Sequence, residues 1–174
     1  MAKETAFGRD SDYQTFALLG QEIGQTRNKK ALANQIQFLT SDNIIDSQRA
    51  ATVLHHASNL APDLFLKHLD KLIAVIENPI HDSGPRMVMR VCMHIEIPEK
   101  HSGTIVNLAF QYLGNPKTPV AIKVNAMYVI ANQANKYPEL TTELKACIVN
   151  QYERELPAFK SCVRKLSKQL NFRI

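Results

Sequence analysis

The sequence predicts an all-α protein built as a stacked repeat array, an α–α superhelix (a solenoid) of about four helical hairpins behind an N-terminal cap. Arg49, Arg86, Lys123 and Lys160 stand 37 residues apart in succession, each within a helically patterned stretch. A period of about 20 to 50 residues is the mark of stacked supersecondary units. Apolar columns keep the same step: Leu32, Leu69 and Val106; Ile36, Ile73 and Phe110; Leu39, Ile76 and Leu113. Asn78-Pro79 recurs as Asn115-Pro116, so the breaks between helices repeat as well.

The elements follow in order. The polar opening, about a dozen residues, is expected to be frayed or loosely docked, and a helix over Tyr13–Ile23 caps the array with Gly24 as its stop. The first repeat begins near Asn28 with Leu32, Ile36 and Leu39 on one stripe. Ser41 or Asp42 caps its partner helix, whose core positions are Ala50, Val53, Leu54 and Ala57. Pro62 and Asp63 open the next helix, where Phe65, Leu66, Leu69, Leu72, Ile73 and Ile76 form the apolar face. Proline in a first turn costs no backbone hydrogen bond, so it marks a start. Pro85 opens the second partner helix and Pro98 stops it; Val91 is expected in its core. Residues 101–113 and 119–134 form the third pair, with Met127 in its core, and GNPKTP between them forces a hairpin. The fourth pair runs from Pro138 to about Tyr152 and from Pro157 to Leu170. Small residues (Ala50, Ala51, Ala57, then Ala121, Ala126, Ala131, Ala134) allow close helix crossings. Residues 1–27 thus read as tail and capping helix, and 28–174 as one repeat domain.

Composition narrows the class. With 45% hydrophobic and 21% charged residues, no Trp and no long apolar run, the chain reads as a globular protein without a membrane segment. The opening MAKETAFGRDSDYQ lacks a basic n-region and an apolar h-region, so no secretory signal is expected. Three cysteines, none in CxxC spacing, fit reduced thiols and a cytoplasmic setting. The net charge of +5 is uneven: residues 31–150 carry ten basic and ten acidic side chains, whereas 151–174 carry six and two.

These residues resemble HEAT repeats, whose second helix follows a pattern near D-P-x-x-x-V-R-x-x-A-A-x-x-L. Asp42 followed by Arg49, Ala50, Ala51 and Leu54 is the nearest match, with ENP and GNP and their following Arg86 and Lys123 as weaker versions. The resemblance covers roughly 28–170 and extends to small bacterial HEAT-repeat proteins of similar length. It implies a ladder in which loop acids meet helix bases, starting from Asp42 and Arg49 and continued by Arg86, Lys123 and Lys160. Equivalent acids are expected to be missing from the third and fourth loops. The resemblance also implies a binding scaffold rather than an enzyme.

The candidate sites are few. Arg154, Lys160, Arg164, Lys165, Lys168 and Arg173 form a basic C-terminal cluster, with Lys160, Arg164 and Lys168 at steps of four on one helical face. That face suits phosphates or an acidic protein, although a terminal repeat needs a polar outer surface in any case. The basic column itself reads first as structural, its stems covering apolar surface and its heads meeting carbonyls and acids. Six histidines lack HExxH or any dense Cys/His pattern, so no metal site and no cofactor are expected. Asp63, Asp70 and Glu77 line one face beside Lys67 and Lys71, which reads as a solvated ion-paired surface. Tyr112, Tyr128 and Tyr152 read as packing residues. The expectation is a non-catalytic scaffold for a protein partner. The alternative is nucleic-acid or acidic-ligand binding through the basic C-terminal repeat.

Overall fold

A computed structural model of the chain describes residues 13–173; the polar opening lies outside the described residues. The described residues are helical with no strand. They form two compact units that divide between Glu96 and Ile97.

The first unit holds α1 (Tyr13–Thr26), α2 (Lys29–Leu39), α3 (Ile44–Ser58), a 3₁₀ segment Pro62–His68, α4 (Leu69–Glu77) and α5 (Ser83–Cys92). Helix α1 continues past Gly24 and stops where Arg27 turns left-handed, at φ 53°, so that the Asn28 N–H reaches the Ile23 carbonyl. Gly24 serves a different purpose. A Cβ there would lie 2.8 Å from Leu60 Cβ, and one at Gly20 would lie 2.2 Å from the Val53 carbonyl oxygen. The two glycines let α1 approach α3 at backbone range. Asn28 caps α2 by accepting from the Ala31 N–H. Asn43, rather than Ser41 or Asp42, caps α3, because its Oδ1 accepts from both Ile45 and Asp46 N–H. Within the unit α2 pairs with α3 and α4 with α5, while α3 also packs on α1 and α5.

The columns explain the core. Leu32, Ile36 and Leu39 on α2 and Leu69, Leu72, Ile73 and Ile76 on α4 are all buried, as are Ala50, Val53, Leu54 and Ala57 on α3 and Val91 on α5. Burying each large aliphatic stabilises the fold by about 1.5–3 kcal/mol relative to exposure. Leu66 departs from the expectation at 37% exposed. The segment opened by Pro62 is 3₁₀ up to His68, and α4 starts anew at Leu69, so one continuous α-helical phase does not apply. Leu64 and Phe65 take the core positions instead. Helix α5 begins two residues ahead of Pro85, where Ser83 N–H meets His81 Nδ1, and it ends at Cys92, well short of Pro98.

The second unit holds α6 (Glu99–Gly114), α7 (Val120–Ala134), α8 (Glu139–Val149), a short 3₁₀ turn Tyr152–Arg154 and α9 (Pro157–Gln169). Helix α6 pairs with α7, and α7 carries both α8 and α9. Val106 and Leu113 are buried as the columns require, and Met127 lies in the α7 core. Phe110 is only half-buried. The buried face of α6 includes Ser102, Ile105 and Ala109, one position back from the columns, so the helix is rotated about its axis and Phe110 turns to the rim. Ala126, Ala131 and Ala134 are buried, whereas Ala121 is exposed on the first turn of α7.

Candidate functional site

The basic column does not behave as one set. Asp42 is exposed in the turn between α2 and α3, and Arg49 lays its guanidinium 5.7 Å from the Phe16 ring centre. Arg86 is exposed on α5. Lys123 is buried on α7, with its side chain 2% exposed; its Nζ donates to Glu155 Oε1 at 2.5 Å and to Gln151 Oε1 at 3.0 Å. Gln151 is held in turn, since its Nε2 donates to the Leu113 and Cys147 carbonyls. Lys160 on α9 donates to the Glu153 carbonyl at 3.0 Å, stands 3.8 Å from the Glu153 carboxylate and lies over the Tyr152 ring.

The fourth loop therefore does contain acids, contrary to expectation. Glu153 occupies the column of Asp42: three steps of 37 from position 42 reach 153, with Pro79 and Pro116 between. Counting that column would have found it, as Glu153 precedes Lys160 by the same seven residues that separate Asp42 from Arg49. Glu155 and Gln151 had no such signal, because their roles depend on where the 3₁₀ turn aims them.

The C-terminal cluster divides in two. Lys160 is committed to Glu153, and Arg154 donates from Nη2 to the Asn150 carbonyl at 2.8 Å. Arg164, Lys165, Lys168 and Arg173 are exposed. The opposite side of α9 buries Phe159, Cys162, Val163 and Leu166, so Arg164, Lys165 and Lys168 make up a polar outer face.

Two clefts among the described residues are of a size to note. One of about 180 Å³ in the first unit lies between the α2–α3 and α4–α5 turns and is lined by Asp42, Ser47, Asn78 and His81 over an apolar floor. The other, about 290 Å³, lies in the second unit between the starts of α6 and α8 and is rimmed by Glu99, Tyr137 and Glu139. Glu99 is already engaged there. It accepts from Lys136 and from the Tyr137 hydroxyl, and those bonds hold its carboxyl below the usual range. The buried Ser102 hydroxyl donates to Gln133 Oε1 at 2.7 Å.

Ionisable groups elsewhere are shaped mainly by burial. Desolvation, with Arg90, His56 and Arg86 nearby, pushes the His55 imidazole down to about 4. Burial also lowers His68 and His94, and it pushes the Cys92 thiol up to about 12 and Cys162 to about 11. Among the described residues no group of three or more His, Cys, Asp or Glu gathers as a metal set. Asp63 on the expected solvated face pairs with Arg27. Tyr112, Tyr128 and Tyr152 are all half-buried. No helix among the described residues is long and apolar enough to cross a membrane.

No curated protein and no solved structure matches the chain. The HEAT repeat domain family matches residues 14–170, nearly the whole length and including α1. On that match, and with paired helices whose core follows the repeat columns, the chain belongs to the HEAT repeat domain family.

Proposed function

We propose that the protein is a non-catalytic HEAT-type scaffold that binds another protein, in a cytoplasmic setting. The observation that carries this reading is the extent of the repeat: it takes up residues 14–170, so most of what the chain offers to a ligand is repeat surface. The polar side chains inside add to it. Lys123, Gln151 and Glu155 satisfy one another, as do Ser102 and Gln133, which is structural work rather than a convergent reactive set.

A second reading, nucleic-acid or acidic-ligand binding through the C-terminal repeat, is favoured by the exposure of Arg164, Lys165 and Lys168 on the outer face of α9. One titration separates the two. Labelled duplex and single strand are added at two salt concentrations to the wild type and to Arg164→Glu/Lys168→Glu. The scaffold reading expects no saturable binding at either salt. Binding that falls steeply with salt and is lost in the double variant would replace it with the second reading.

A further inference from the structure

The cleft of about 290 Å³ in the second unit is one end of a groove between α6 and α8. The two helices run side by side in the same direction. Glu99 and Glu139, at their starts, both line the cleft, and Gln151, just past the end of α8, donates to the Leu113 carbonyl at the end of α6. Steps of four, three and four from Glu99 reach Gly103, Val106 and Phe110, so these share the side of α6 turned to α8. That line spans about 16 Å at 1.5 Å per residue. Leu140 joins it from α8. The floor is apolar and it is not filled. A Cβ built on Gly103 meets nothing within 4 Å, and Phe110 and Leu140 are left half-buried.

The α8 edge of the groove is acidic. Glu139, Glu143, Cys147 and Gln151 follow at steps of four; the first lines the cleft and the last reaches α6, so Glu143 between them lies along the same edge. Both glutamates are exposed, and neither meets a base in an ion pair among the described residues. One turn apart, their like charges repel. The bases of this region are directed elsewhere. Lys136 pairs with Glu99. Lys145 lies about 200° round α8 from Glu143, on the far side, and Lys100 lies about 100° round α6 from Glu99, beside the exposed Thr104 and Asn107.

We propose that this α6–α8 groove seats a segment of a protein partner that carries a large apolar side chain with a lysine or arginine beside it. The apolar side chain takes the space over Gly103, between Val106 and Leu140, and the base meets Glu139 and Glu143. The inference rests on the scaffold reading and names the chemistry of the partner. The cleft lies at the small end of the range for small-molecule pockets, about 300–1,000 Å³, and opens into a groove, which suits side chains of a bound segment. An edge of unpaired carboxylates selects a basic segment and repels phosphates.

The test is a titration of the ¹⁵N-labelled full chain at low salt with a short, end-blocked peptide of alternating leucine and arginine. Saturable shifts are expected in the backbone amides of Gly103, Val106, Leu140 and Glu143. Gly103→Leu, which puts a side chain into the open space, weakens binding by about tenfold or more, as does alanine for leucine in the peptide. Glu139→Gln/Glu143→Gln weakens it by about tenfold, the loss of two exposed charge pairs, and reduces its salt dependence. Arg164→Gln/Lys168→Gln leaves it unchanged. Shifts confined to other helices, full affinity in either groove variant, or equal affinity for a peptide with glutamate in place of arginine would overturn the proposal. So would shifts of these same resonances as the chain alone is concentrated, which would seat a second copy in the groove. If Gly103→Leu does not fold, the wild-type shifts and the charge variant decide. A protein partner whose binding survives both groove variants would overturn this inference and leave the scaffold reading intact.

Discussion

Removing either partner of the Lys123–Glu155 pair should have unequal consequences. Lys123 is the deeper partner, 2% exposed against 15% for Glu155. In Glu155→Ala the ammonium stays buried with Gln151 Oε1 as its remaining acceptor. Breaking a buried pair and stranding its charge costs about 3–5 kcal/mol, and the partial exposure of Glu155 sets the expectation at the lower end, about 3 kcal/mol. Lys123→Met removes the buried charge, substitutes an apolar stem of similar length and leaves a carboxylate that water already reaches, at a cost of about 1 kcal/mol or less. The double variant Lys123→Met/Glu155→Ala should therefore be more stable than Glu155→Ala alone. Urea denaturation followed by circular dichroism measures all three. With a slope of about 2 kcal/mol per molar urea, Glu155→Ala lowers the midpoint by about 1.5 M. A Glu155→Ala variant within about 0.5 kcal/mol of the wild type, or a Lys123→Met variant that costs as much as Glu155→Ala, would show that the buried ammonium does not depend on Glu155.

Other expectations follow from single contacts. Gly20→Ala destabilises the protein despite alanine's better helix propensity, because its Cβ would fall 2.2 Å from the Val53 carbonyl; Gly103→Ala, with open space around it, stabilises by about 0.5–1 kcal/mol in the same melts. Truncating the buried Leu72 to Ala costs about 2–5 kcal/mol, and Phe110→Ala, at the rim of α6, costs less. Native alkylation at mildly alkaline pH modifies the half-buried Cys147 first and spares Cys92, whose thiol burial holds near 12, until the chain unfolds. His55 is lowered on folding from 6.5 to about 4, so the unfolded chain binds the extra proton between those values. Stability falls as pH drops from 6.5 toward 4, and His55→Gln flattens that part of the pH–stability curve.

What the sequence made legible was whatever depends on period. The columns of Leu32 and Leu39 and the small residues of α3 place themselves by counting, since repeated units bury equivalent positions. The misreadings arise where a local event resets the count. The break at His68 turned Leu66 outward, the rotation of α6 moved Phe110 to the rim, and Gly24 was a contact surface rather than a helix end. The surfaces were harder to read for a different reason. Lys123 and Lys160 occupy one column, yet the first is buried among Glu155 and Gln151 and the second lies half-exposed on Glu153, a difference set by the short turn between α8 and α9.

On the scaffold reading, the chain acts by binding a protein through its repeat surface. The most direct test is quantitative affinity capture of the tagged full chain from its source cell, crosslinked and compared with and without nuclease treatment. One protein should be recovered in near-equal amount with the chain and unaffected by nuclease. Recovery of nucleic acid with all associated proteins lost on nuclease treatment would contradict it.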